Sequence, residues 1–170
     1  KRCLDAGKTE RESVSLAVDM AKAAGYRDLA ECVKENVELK CGDKVYVNQM
    51  GKALALFQIG EEPLEKGMNI LGAHVDSPRL DVKQNPLYEE SELAYLDTHY
   101  YGGIKKYQWA AIPLALHGTV AKKDGTTVNI TIGEKEDDPV LVISDLLIHL
   151  AGEQMEKKAS VVIEGEVLDV

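Results

Sequence analysis

After Gly25 no apolar stretch in this 170-residue chain runs far before a glycine, a proline or a polar turn cuts it. Helices need apolar residues to recur over three or more turns, whereas strands need only four to eight residues between punctuation. One segment escapes the cutting. In "KTERESVSLAVDMAKAAGY" Thr9 and Glu12 have capping-box spacing, and Val14, Ala17, Val18, Ala21 and Ala24 recur at helical spacing until Gly25. Downstream, "ENVELKCGDKVYVNQMGKALALFQIG" predicts strands with turns at Cys41-Gly42-Asp43 and Gly51-Lys52. "NILGAHVD" predicts a short buried strand bounded by Gly67 and Pro78. Past Pro86 the patches are strand-like and divided by Gly102-Gly103, Gly118 and Asp124-Gly125, the last a hairpin signal. Val140 to Ile143 predicts a strand, followed by a helix capped by Ser144 with Leu146, Leu147, Leu150 and Ala151 on its apolar face. The fold class expected is α/β: a mixed α/β part over residues 1–85, then a β-rich unit with one helix over 86–170.

Composition narrows the function. A net charge of −9 disfavours nucleic acid as a main partner, because phosphate neutralisation needs a basic excess. No apolar run is long enough to span a bilayer, so no membrane partner is expected, and no apolar run stands behind the basic N-terminus as in a signal peptide. Cys3, Cys32 and Cys41 are odd in number and form no CxxC pair, which favours free thiols in a reducing compartment, by default the cytoplasm. Gly7-Lys8-Thr9 resembles the end of a phosphate-binding loop, but Arg2 stands where the earlier glycine is required.

The chemistry concentrates at "GAHVDSP". In a strand, His74 and Asp76 share a face, so the carboxylate can hold one imidazole nitrogen while the other binds a metal. The plainer reading is a strand that ends in a polar surface turn, and H-x-D spacing alone does not choose between the two. Other acidic pairs, Glu61-Glu62, Glu89-Glu90 and Asp137-Asp138, read as solvated turns. His117 and His149 read as structural, the first on a strand and the second on the polar side of the predicted helix.

The wider string decides. "GAHVDSPRLDVKQNPLY", then "THYYGGIKKYQWAAIPLALHGTV" and "DPVLVISDLLIHL", closely resembles the M18 family of aminopeptidases, in matching order and over essentially the whole chain. The resemblance implies part of a zinc-aminopeptidase-like catalytic domain over 1–85 and an inserted, incomplete β-rich dimerisation domain over 86–170. It implies that His74 ligates one ion of a two-zinc site, with Asp76 as its catalytic partner carboxylate. The bridging aspartate, the glutamate general base and the remaining ligands of the family find no match here, so the chain is expected to be the N-terminal portion of a larger enzyme and inactive alone. The alternative is a non-catalytic oligomerisation module with a vestigial His-x-Asp. Family enzymes also place a histidine, reaching into the neighbouring subunit's site, where alignment on Trp109 and Gly118 puts Tyr107. Tyr107 or His99 would then contact substrate, or Tyr107 would simply pack at an interface. Peptide substrates, a homodimer with Trp109 or its neighbours at the boundary, and a larger homo-oligomer follow as expectations. A preference for acidic N-terminal residues would need a cation, for which Arg79, Lys105 and Lys106 are available.

Overall fold

A computed structural model describes all 170 residues, which fall into two compact units, 1–77 and 78–170. The division lies between Ser77 and Pro78, eight residues before the change of sequence texture at 86.

The first unit opens with a short helix α1 (Arg2–Ala6) and then α2 (Glu10–Ala23). The predicted capping box is present. Thr9 Oγ1 accepts from the Glu12 N–H at 3.3 Å, and Glu12 Oε2 accepts from the Thr9 N–H at 2.9 Å, so donors that the helix itself cannot pair are satisfied. Beyond the helix, Gly25 takes φ +86°, a left-handed conformation that suits glycine, and the chain turns into β1 (Arg27–Asp28). Asp28 caps α3 (Leu29–Lys34) by accepting from the Ala30 N–H at 2.8 Å. β2 (Lys44–Gln49) and β3 (Ala53–Gln58) are the predicted strands about the Gly51-Lys52 turn and pair antiparallel, and β1 joins β2 in parallel. Val14 and Val18 of α2 pack on Tyr46 of β2, with Tyr26 and Leu54 alongside.

One expectation for this unit is corrected. "NILGAHVD" forms no strand and is not buried: Ile70 is 80% and Leu71 100% exposed. A strand exists only by hydrogen bonding to a neighbour, and these 170 residues offer this one none.

The second unit begins with β4 (Arg79–Glu90), paired antiparallel with β5 (Leu93–Tyr101). The register breaks between Val82 and Leu87, and Pro86 lies within the break. Proline has no N–H for the ladder, so a bulge is where it fits. β6 (Pro113–Leu114) pairs with β9 (Leu141–Val142). β7 (Leu116–Ala121) and β8 (Thr127–Ile132) close through the Asp124-Gly125 turn, as the dipeptide predicts. The core gathers Ala110, Ile143, Ile163 and Leu168, with Leu80, Tyr100 and Trp109 packed against it.

The predicted helix after Ser144 is the second correction. Residues 144–150 are non-helical, and only α4 (Gly152–Met155) forms. Leu146, Leu147 and Leu150 are 56%, 72% and 71% exposed. An amphipathic helix is held mainly by the surface its apolar face packs on, and that surface is missing here. His149 consequently sits in an exposed turn rather than on a helix face.

Candidate metal-binding site

His74 and Asp76 come together, though through an irregular loop rather than a strand face. His74 Nδ1 lies 2.9 Å from the main-chain oxygen of Asp76 and 3.2 Å from its Oδ1. Both contacts fall on one ring nitrogen. The tautomer that satisfies them carries its proton on Nδ1 and leaves the Nε2 lone pair available. The imidazole is 82% exposed and the Asp76 side chain 36%, so Nε2 is open to a ligand while Nδ1 is held. A metal-binding histidine needs this division of labour. The carboxylate was legible in the sequence; the main-chain acceptor was not, because every residue has one.

A zinc centre needs more than one histidine. No three His, Cys, Asp or Glu side chains converge in this chain, so His74 could serve as no more than one ligand of such a centre.

The other named residues lie in the second unit. His99, on β5, alternates with the buried Thr98 and is exposed, its ring stacked on Tyr100 at 5.3 Å. Tyr107 lies in a 3-10 turn, Lys106–Gln108, and is 41% exposed. Trp109, which follows this turn, is partly buried and packs against the core. His117 is held on β7 by Glu134 at 3.0 Å, consistent with a structural role. Of the available cations, Arg79 is already engaged: its Nε donates to Asp81 Oδ1 at 2.7 Å and its guanidinium lies over the Tyr101 ring at 4.3 Å. Lys106 lies over the Tyr100 ring at 5.6 Å, which leaves Lys105 as the cation with neither an ion pair nor a ring contact.

Elsewhere in the second unit, Lys83 is shared between Asp97 at 2.8 Å and Glu166 at 3.4 Å, and the Asp97 hydrogen bond holds its ammonium above the ordinary range. Asp138 accepts from the main-chain N–H groups of Lys135, Gly133 and Glu134, which hold its carboxyl below the ordinary value. The Lys83 pair ties β4 to β5 and Asp138 orders a turn; neither brings reactive atoms together.

Comparison with known proteins identifies the family to which this chain is similar. Residues 3–168 match the model of the family described as "Aminopeptidase I zinc metalloprotease (M18)". A probable M18 family aminopeptidase 1 of Clostridium acetobutylicum is 60% identical over 163 residues, covering 96% of this chain and 35% of that protein. Its counterpart in Borrelia garinii is 48% identical over 171 residues, covering 100% of this chain and 36% of that protein. Among solved structures, an M18 aminopeptidase from Thermotoga maritima superposes with TM-score 0.86 at 42% identity, covering 99% of this chain and 36% of that one. Aminopeptidase I from C. acetobutylicum superposes with TM-score 0.81 at 58% identity, covering 93% and 34%. The chain thus spans about a third of the length of the relatives it matches. With the family pattern matched from residue 3 to residue 168 and the fold shared with solved members, the chain belongs to the M18 family of aminopeptidases.

Proposed function

We propose that this chain supplies the N-terminal part of a zinc-dependent aminopeptidase that removes single residues from the amino ends of peptides. The observation that carries the proposal is the split of His74: Nδ1 held by Asp76, Nε2 left open. His74 is the ligand this part contributes, and Asp76 is the residue that orients it. Zinc held there would supply Lewis-acid polarisation of the scissile carbonyl and a water whose pKa is lowered to near neutrality. This chain's own task is to fix the ring of His74 and raise the basicity of Nε2 through the Asp76 carboxylate. The remaining ligands and the general base belong to the larger part of the enzyme that these residues do not include.

A cytoplasmic setting suits the three free cysteines, Cys3, Cys32 and Cys41. Homodimerisation through the second unit suits its exposed apolar residues, Leu146, Leu147, Ile148 and Leu150 among them. In that dimer Tyr107 or His99 would reach substrate in the neighbouring subunit, and dimers would build a larger assembly. With Arg79 paired to Asp81, a preference for acidic amino-terminal residues falls to Lys105.

The test is hydrolysis of a panel of aminoacyl anilides by the zinc-loaded full-length enzyme, with metal content measured on the same sample. Turnover with two zinc ions per subunit supports the proposal. A stable, folded full-length protein that binds no zinc and cleaves none of the panel would favour an oligomerisation module that carries a vestigial His-x-Asp.

A further inference from the structure

We infer that the residues following Val170 add a third strand to the β4–β5 sheet, antiparallel to β5 on the edge away from β4. Leu96 N–H donates to the Val170 carbonyl at 2.6 Å, and Val170 N–H donates back to the Leu96 carbonyl at 3.1 Å. Two residues that exchange both main-chain bonds are a hydrogen-bonded antiparallel pair, and one such pair sets the register of everything beyond it.

The outer edge of β5 is already being filled in that register. Thr98 N–H donates to Asp169 Oδ1 at 3.2 Å, and Thr98 Oγ1 donates to the Leu168 carbonyl. Leu168 is fully buried, and Tyr88 donates to Asp169 Oδ2 at 2.7 Å, so the approach to Val170 is anchored by side chains as well as by main chain. Along a strand, main-chain groups face alternate edges. Leu96 and Thr98 face outward, and Ala94 shares their parity, so its N–H and C=O face the same way while Tyr95 faces β4. The second residue after Val170 falls opposite Ala94.

The occupant of that edge is the chain's own continuation. The related proteins are about three times as long as this chain, and Val170 already lies in register beside the open positions. A second copy would find only the stretch of β5 from Leu93 to Tyr95 to pair with, because residues 168–170 already lie beside Leu96 and Thr98. Left open, the edge next to Leu93, 58% exposed, would be a template for unwanted pairing. With the third strand in place, β5 becomes a central strand, and the chain leaves the unit in the direction of the β4–β5 turn at Ser91-Glu92.

Residue-resolved amide exchange on the full-length protein tests this, with Tyr95 as the internal reference. Ala94 should be protected to within roughly tenfold of Tyr95. Exchange of Ala94 at the rate of an open edge, with Leu96 and Tyr95 protected, would overturn the inference. Ala94→Pro supplies a second measurement, because proline is tolerated on an outer edge but removes a ladder bond from a central strand. A lowered melting temperature is expected, and a wild-type one would count against the third strand. Both readouts are independent of peptidase activity, so they can fail while the aminopeptidase proposal stands.

Discussion

Asp76 holds His74 twice, with its main-chain oxygen at 2.9 Å and its carboxylate at 3.2 Å from the same Nδ1. The two acceptors differ in what mutation can remove. Asp76→Asn abolishes the charge and leaves the main-chain acceptor in place, so the ring should keep its tautomer and much of its orientation. In the full-length enzyme we expect most zinc to be retained and turnover to fall about 10–100-fold, the range for losing a partner behind a metal ligand. Metal content and kcat measured together check this. Loss of zinc as complete as in a ligand deletion would show that the carboxylate does more than orient.

Tyr88 supplies a pH dependence. Its hydroxyl donates to Asp169, and that bond pushes the phenol from its ordinary value of 10.0 to about 12. A group raised in the folded state contributes its stability fully below the unfolded value and loses it as pH climbs through the folded one. The second unit should therefore lose stability between about pH 10 and pH 12, and Tyr88→Phe should flatten that part of the curve. Thermal melts across the interval, wild type against variant, give the comparison. Identical curves would contradict the role of this bond.

Leu168 is fully buried and packs with Ala110, Ile143 and Ile163. Leu168→Ala should cost about 2–5 kcal/mol, the range for a large-to-small change in a packed core. Urea unfolding followed by the fluorescence of Trp109, which packs on the same cluster, would show the shift. A midpoint unchanged from wild type would mean that the C-terminal segment does not close this core.

Elements that complete themselves locally were legible in the sequence. The Thr9–Glu12 capping box, the β2–β3 hairpin and the Asp124-Gly125 turn each depend on residues close in sequence, and each is present. What could not be read depends on distant partners. The apolar pattern at Ile70-Leu71 states that a strand wants to be buried but not what buries it. The spacing of Leu146, Leu147 and Leu150 likewise describes a helix face with nothing here to pack on. At the candidate site the His74–Asp76 pair was legible because both residues lie within one loop. The two compact units divide at Ser77/Pro78, and β4 carries straight through the proline at 86, absorbing it in a bulge.

One histidine cannot by itself form a zinc centre, and no three candidate ligand side chains converge in this chain. The isolated 170-residue chain should show no peptidase activity even with added zinc or cobalt. Hydrolysis of an aminoacyl anilide by this chain alone would require a site that His74 and Asp76 do not explain.

Assembly has its own check. Sedimentation of the full-length enzyme at micromolar concentration should give a dimer or a larger symmetric species. A clean monomer would remove both the interface and the idea that Tyr107 or His99 completes a neighbour's site.

The most direct measurement is zinc content and turnover in the His74→Ala variant of the full-length protein. If Nε2 of His74 is a zinc ligand, the variant should lose bound zinc and be inactive on aminoacyl anilides while remaining folded by circular dichroism. Wild-type turnover with a full complement of zinc would contradict the assignment of His74, and with it the reading of this loop as part of a metal centre.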